Sequence, residues 1–270
     1  MKKVPGRKTD VADSEWLAQL ARFGLLRGSF IPPVDLRELR LVSRYRQKLV
    51  AQLAGEKNRL HKLLDDAGVK LGAVVSDIDG VAARALVKGL IVGRSAAELV
   101  QSRGALKVAP DVLQASLDGE LSARHRLVLE AALKHMAFLE EQIDALDRTL
   151  IAAMKPYERA WKLLQTIPGL DEISSAMILI EIGDQMSRFG NAARLASWAA
   201  LCPGNNESAG KRKSGRIRRG NPVVRALLCE VANAARHTKS VFRKKHDSLA
   251  LRRGHKRTIV ALAHKLLRTI

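Results

Sequence analysis

The stretch Asp35-Leu-Arg-Glu-Leu39-Arg-Leu-Val42-Ser-Arg-Tyr-Arg46-Gln-Lys-Leu49-Val-Ala-Gln-Leu53-Ala-Gly-Glu56-Lys-Asn-Arg-Leu60-His-Lys-Leu63 decides the architecture. Leu39, Val42, Arg46, Leu49, Leu53, Glu56, Leu60 and Leu63 recur at alternating steps of three and four, which lines them along one stripe of a long helix. Six of these eight are apolar, so the stripe needs a cover, and Arg46 and Glu56 interrupt it. A second run of the same kind, Ala132, Met136, Leu139, Ile143, Leu146, Leu150 and Ala153, stops before Pro156. Two seams separated by a folded insert predict an antiparallel hairpin, a pair that also docks on another subunit, or two helices in a bundle core.

Between the seams, Gly68 to Gly119 holds Gly72, Gly80, Gly89, Gly93, Gly104 and Pro110 among short apolar runs, and predicts small helices in a connecting subdomain. Upstream, Thr9 or Asp10 caps a helix in which Leu17, Leu20 and Ala21 form the apolar face, ended by Pro32-Pro33. Asp10 and Asp13 share a side of its first turn. Two carboxylates so placed can hold a divalent cation, although acids in a first turn are also favoured by the helix dipole.

Downstream, a helix ends at Ile167-Pro168-Gly169-Leu170 and another starts near Ser174, the outline of a helix-hairpin-helix. In such a motif the turn around Gly169 and the following helix start meet a DNA phosphate; a purely structural turn reads the same way. Asp171 stands where these hairpins usually carry a second glycine. A short helix then holds Trp198, Pro222 opens a helix with Val224, Leu227, Leu228 and Val231 inward, and Thr258 to Ile270 is helical.

The formal net charge of +20 over 270 residues predicts a polyanionic partner. From Ser208 to the C-terminus there are 18 Lys or Arg against Glu230 and Asp247 alone, so the contact surface is C-terminal. Its densest part is a Gly/Asn/Pro loop containing Ser208, Lys211, Arg212, Lys213, Arg216, Arg218, Arg219 and, just beyond, Arg225. Such a loop has little to bury and is expected as surface backbone on a packed scaffold. Cys202 and Cys229 have neither disulfide-framework nor zinc spacing, which fits a reducing cytoplasm. No apolar run reaches the length of a membrane span, and none follows the basic N-terminus as in a signal peptide.

Lys8-Thr9-Asp10-Val11-Ala12-Asp13, the paired seams, Ile167-Pro-Gly-Leu through Glu181-Ile-Gly183, Phe189, Leu195 to Pro203, Glu207-Ser208-Ala209-Gly210, Gly215-Arg216-Ile217 and Gly220-Asn221 to Arg225 together resemble the DEDD-type transposases of bacterial insertion sequences, the group numbered one hundred and ten. The resemblance implies a mainly α chain in three regions. Residues 1–31 would be the end of a ribonuclease-H-like nuclease domain, its remnant helix; 32–157 a coiled-coil region with a small helical insert; and 158–270 a C-terminal transposase domain with the serine loop and a helix-hairpin-helix-like motif.

It further implies Ser208 as the nucleophile of a DNA recombinase, with Ser214 as the competing candidate. Asp10 and Asp13 match the third and fourth of four Mg²⁺-binding acids, and the strand carrying the other two is expected upstream of Lys2. Implied partners are DNA, a bridging RNA and further copies of the chain in a dimer or tetramer; the implied location is the bacterial cytoplasm, at the nucleoid. The reading from another class is a non-catalytic, architectural nucleic-acid-binding protein.

Overall fold

The computed structural model describes residues 9–26, 28–202, 206–208, 210–214 and 220–270. The fold is mainly α. Helix α1 spans Asp10–Arg22, with the Thr9 hydroxyl accepting the Ala12 N–H at 3.2 Å as its cap. The two seams become α2, Val34–Asp66, and α7, Ala123–Ala152. They pack on each other within the one chain, antiparallel.

Three polar contacts fix that register. Arg46 forms an ion pair with Asp147, its Nη2 donating to Oδ2 at 2.9 Å. His135 Nδ1 lies 3.2 Å from Glu56 Oε1, and His125 Nε2 lies 2.9 Å from Asp66 Oδ2. Each step of ten along α2 is matched by a step of ten or twelve back along α7. Arg46 and Glu56, the interruptions of the first stripe, are thus its cross-helix partners to α7. Leu60, Leu129, Met136, Leu139 and Leu150 fill the seam between them.

Beyond the far end of this hairpin sit four short helices, α3 Leu71–Val74, α4 Val81–Ile91, α5 Ala96–Gln101 and α6 Pro110–Leu117. With Leu60, Leu64 and Leu129 they enclose a core of their own around Leu71, Leu86, Val87, Leu99 and Leu113. Arg84 of α4 reaches Glu140 of α7, with Nη1 donating to Oε2 at 2.9 Å, and also pairs with Asp79.

At the near end a second core belongs to the C-terminal region. A 3₁₀ turn, Lys155–Tyr157, leads into α8 Glu158–Gln165 and α9 Glu172–Ile182. Then follow α10 Ala192–Trp198, a β-hairpin of β1 Asn206–Ser208 and β2 Lys211–Ser214, and α11 Pro222–Ala235, α12 Val241–Arg253 and α13 His255–Thr269. Phe30, just before α2, packs into this region against both Phe189 and Trp198, at ring separations of 4.6 and 5.8 Å. The serine segment, expected as an irregular loop, is therefore built on a short antiparallel ladder.

Among the described residues no helix is long and apolar enough to cross a membrane.

Two outcomes follow from this packing. Leu60 is fully buried in both the seam and the insert core, so Leu60→Ala should lower the unfolding free energy by about 2–5 kcal/mol, against roughly 0.5 kcal/mol or less for Leu41→Ala on the exposed side of α2, measured by urea denaturation. The second concerns alkali. The Tyr157 hydroxyl donates to Asp35 at the start of α2, and burial together with that carboxylate pushes the phenol from 10.0 up to about 12. A raised pKa stabilises the fold fully below the unfolded value and is lost as pH rises through the folded one. Stability should therefore fall between pH 10 and 12, and phenolate absorbance should contain a component near 12 that Tyr157→Phe removes. A single phenolate transition near 10 would contradict this.

Candidate nucleic-acid interface

The scaffold of the interface is α9. Ser174 to Ile182 are all buried, so the helix is apolar all round and runs through the centre of the C-terminal core. One of these buried residues is charged. Glu181 has no exposed side-chain surface, and a carboxylate there must be matched by donors.

Arg40 and Arg44, one turn apart on α2, supply them. Arg40 Nε lies 3.1 Å from Glu181 Oε2 and also donates to the Ile180 carbonyl at 3.3 Å. Arg44 makes a forked contact, Nε to Oε1 at 2.9 Å and Nη2 to Oε2 at 3.2 Å. The third donor is the Asn221 amide, 2.7 Å from Oε2. Asn221 is also the cap of α11, its carbonyl oxygen accepting the Val223 and Val224 N–H groups at 3.0 and 3.3 Å.

Asn221 marks the C-terminal base of the segment carrying Ser208. Its N–H donates to the Trp198 carbonyl at 3.2 Å, at the other base of the segment. Gly220 permits that approach: a Cβ there would lie 2.6 Å from the Trp198 carbonyl oxygen and 2.6 Å from the Ala200 Cβ. The excursion from Cys202 to Gly220 is thus clamped at its neck, and the clamp is tied through Glu181 to the helical hairpin.

Within the excursion, the ladder sets Ser208 opposite Lys211 and Glu207 opposite Arg212, with an irregularity next to Asn206. Lys211 is exposed. Lys213 lies on β2, while Arg216, Arg218 and Arg219 lie outside the described residues. Arg225 is half-buried on the second turn of α11, close enough to Cys229 to lower that thiol's pKa, although burial raises it by more.

Gly169 sits at φ +93° in the turn between α8 and α9. A Cβ on it would lie 2.6 Å from the Val231 carbonyl oxygen and 2.8 Å from the Ala235 nitrogen, so its lack of a side chain lets the turn pack on α11. The start of α9 is already occupied: the Asp171 carboxylate accepts the Ser174 N–H at 2.7 Å, and Ser174 Oγ accepts the Asp171 N–H at 2.9 Å. Glycine here has a packing reason, and the anion favoured at that helix start is the chain's own.

Asp10 and Asp13 share the first turn of α1 with no third ligand. Among the described residues no group of three or more His, Cys, Asp or Glu is placed to hold a metal, so the pair alone does not make a two-metal centre. On α1 they fall on the same stripe as Leu17 and Leu20, by steps of three, four and three. No residue of that helix is buried.

Sequence reasoning missed the role of Glu181. The signal was present as a lone acid inside Ile173 to Ile182, a run too apolar to leave a charge in water.

Residues 161–247 match the family model described as Transposase IS116/IS110/IS902 family. Residues 1–68 match the model of the DEDD transposases of the IS110 group. The two matches together cover more than half of the chain, and the chain belongs to the IS110 family of transposases, a group that acts on DNA and typically uses a divalent metal. No curated protein matches it.

The clamp yields an outcome that can be measured. Glu181→Gln leaves Arg40 and Arg44 without a counter-charge and should cost about 3–5 kcal/mol in chemical denaturation. Adding Arg44→Gln should cost much less than it does in the wild-type background. A loss below about 1 kcal/mol for Glu181→Gln would remove the clamp from this account.

Proposed function

We propose that the chain is a DNA recombinase of an insertion sequence in which Ser208 is the nucleophile. The observation that carries this is the clamped hairpin: Ser208 ends β1 opposite Lys211, beside Arg212 and Lys213, on an excursion fixed at its neck by Gly220 and Asn221. A serine on a strand with a clamped base, in a segment rich in Lys and Arg, suits attack on a phosphodiester.

In that reaction Ser208 Oγ bonds to phosphorus, the bond from phosphorus to the 3′ oxygen breaks, and the serine proton ends on the departing 3′ hydroxyl. One DNA end is left esterified to the serine. The free 3′ hydroxyl of another strand reverses the step, so strands exchange without an external energy source. Lys211, Arg212, Lys213, Arg216, Arg218, Arg219 and Arg225 hold the flanking phosphates.

Asp10 and Asp13 would hold Mg²⁺ only together with further acids. A bridging RNA and assembly into a dimer or tetramer complete the reading. The seams being spent on each other, oligomerisation rests instead on the exposed Leu41 and Tyr45 of α2 and Leu127 and Phe138 of α7. One observation favours a non-catalytic, architectural role: the acid pair of α1 has no third ligand among the described residues.

Covalent trapping separates the two. In an assembly containing complete nuclease domains, wild-type protein should form a denaturant-resistant adduct with DNA, Ser208→Ala should form none, and Ser214→Ala should retain it. Adduct formation by Ser208→Ala would end the assignment.

A further inference from the structure

A second concentration of positive charge lies outside the serine hairpin, where α12 gives way to α13. Arg252 and Arg253 close α12, Gly254 turns the corner, and His255, Lys256 and Arg257 open α13; all six are exposed. Among the described residues none of these four Lys and Arg side chains has an ion pair or a hydrogen bond. Asp247, the one acid between Glu230 and the C-terminus, is engaged elsewhere, 3.1 Å from His246 Nδ1 and 3.9 Å from Arg243 Nε.

Part of this arrangement runs against helix electrostatics. Arg252 and Arg253 suit the negative end of α12, but Lys256 and Arg257 stand at the positive end of α13. That end has no side-chain cap and no acid in its first turn. Next to it, His246 is 9% exposed with its ring 5.9 Å from the His255 ring, and its buried Nε2 has no hydrogen-bond partner. The unpaired cations and the open amides of that end lack the same thing, an anion. Local rules broken without compensation inside the chain mark places that a partner completes.

We infer that the α12–α13 corner is a second phosphate-binding surface, taking the backbone of duplex DNA without reading its sequence. The inference rests on the nucleic-acid reading above and adds a contact outside the family match at residues 161–247. Duplex is indicated because Arg243 to Ile270 contains no Phe, Tyr or Trp on which unpaired bases would stack. Charge without a stacking platform selects the backbone.

The test is a protein with Arg252→Gln, Arg253→Gln, Lys256→Gln and Arg257→Gln, titrated with random-sequence duplex DNA and with an RNA duplex of equal length. Each phosphate contact contributes about 0.9 to the slope of log affinity against log salt, so between about 50 and about 200 mM salt the variant's DNA slope should be shallower by about 2–4, with affinity at the lower salt roughly tenfold weaker or more. Its thermal midpoint should be unchanged or higher, since repulsion at α13 is relieved. An unchanged DNA slope overturns the inference, as does a loss confined to RNA. A wild-type chain that binds neither duplex overturns this inference and the nucleic-acid reading together, whereas adducts formed by Ser208→Ala remove the serine assignment and leave the corner standing.

Discussion

The carboxylate of Glu181 is the constraint on which the C-terminal half depends. Placing it inside α9 removes its hydration, and the loss is offset only because Arg40, Arg44 and Asn221 converge on its two oxygens. These partners come from positions 40, 44 and 221, so one buried group holds the first long helix, the central helix and the neck of the serine excursion in fixed relation. Apolar packing alone would allow α2 to slide along α9; a forked guanidinium contact is directional and sets its position. The aromatic cluster of Phe30, Phe189 and Trp198 covers the adjacent junction and adds area where the ion cluster adds direction.

The parts of this fold legible in the sequence are those governed by local periodicity. Both long helices follow from steps of three and four, and the small insert helices from glycines spaced too closely for one long helix. What the periodicity does not carry is the partner. Arg46 and Glu56 read as defects in a stripe until Asp147 and His135 stand opposite them, the first about a hundred residues and the second about eighty residues downstream of its partner. The β-hairpin was illegible for a different reason: Asn206 to Ser214 has none of the β-branched or aromatic residues that announce strands, and its pairing comes from a tight turn on a clamped neck. Gly169 shows the ambiguity most plainly. The turn was visible, but α11, which accounts for its glycine, lies some sixty residues downstream.

Charge is divided between two uses. In the helical hairpin and insert the cations Arg40, Arg44, Arg46, Arg59 and Arg84 all have acids, and they act as structure. Toward the C-terminus acids nearly vanish, and the cations of the α12–α13 corner lie unpaired at the surface. Exposed unpaired cations add little to stability and repel one another, so their accumulation in the C-terminal part of the chain is explained by a polyanion rather than by the fold.

The same reasoning applies to α1 with the sign reversed. A thirteen-residue helix with no buried residue gains nothing from packing and is marginal by itself, yet its Trp16 and Leu17 are each 46% exposed on the side that also bears Asp10 and Asp13. A surface that covers the apolar stripe would also take water from those carboxylates. Desolvated carboxylates that stay charged require cations or hydrogen-bond donors, and those that do not are protonated. The apolar side chains of α1 and its acids share one face of the helix, so any surface that packs there meets both together.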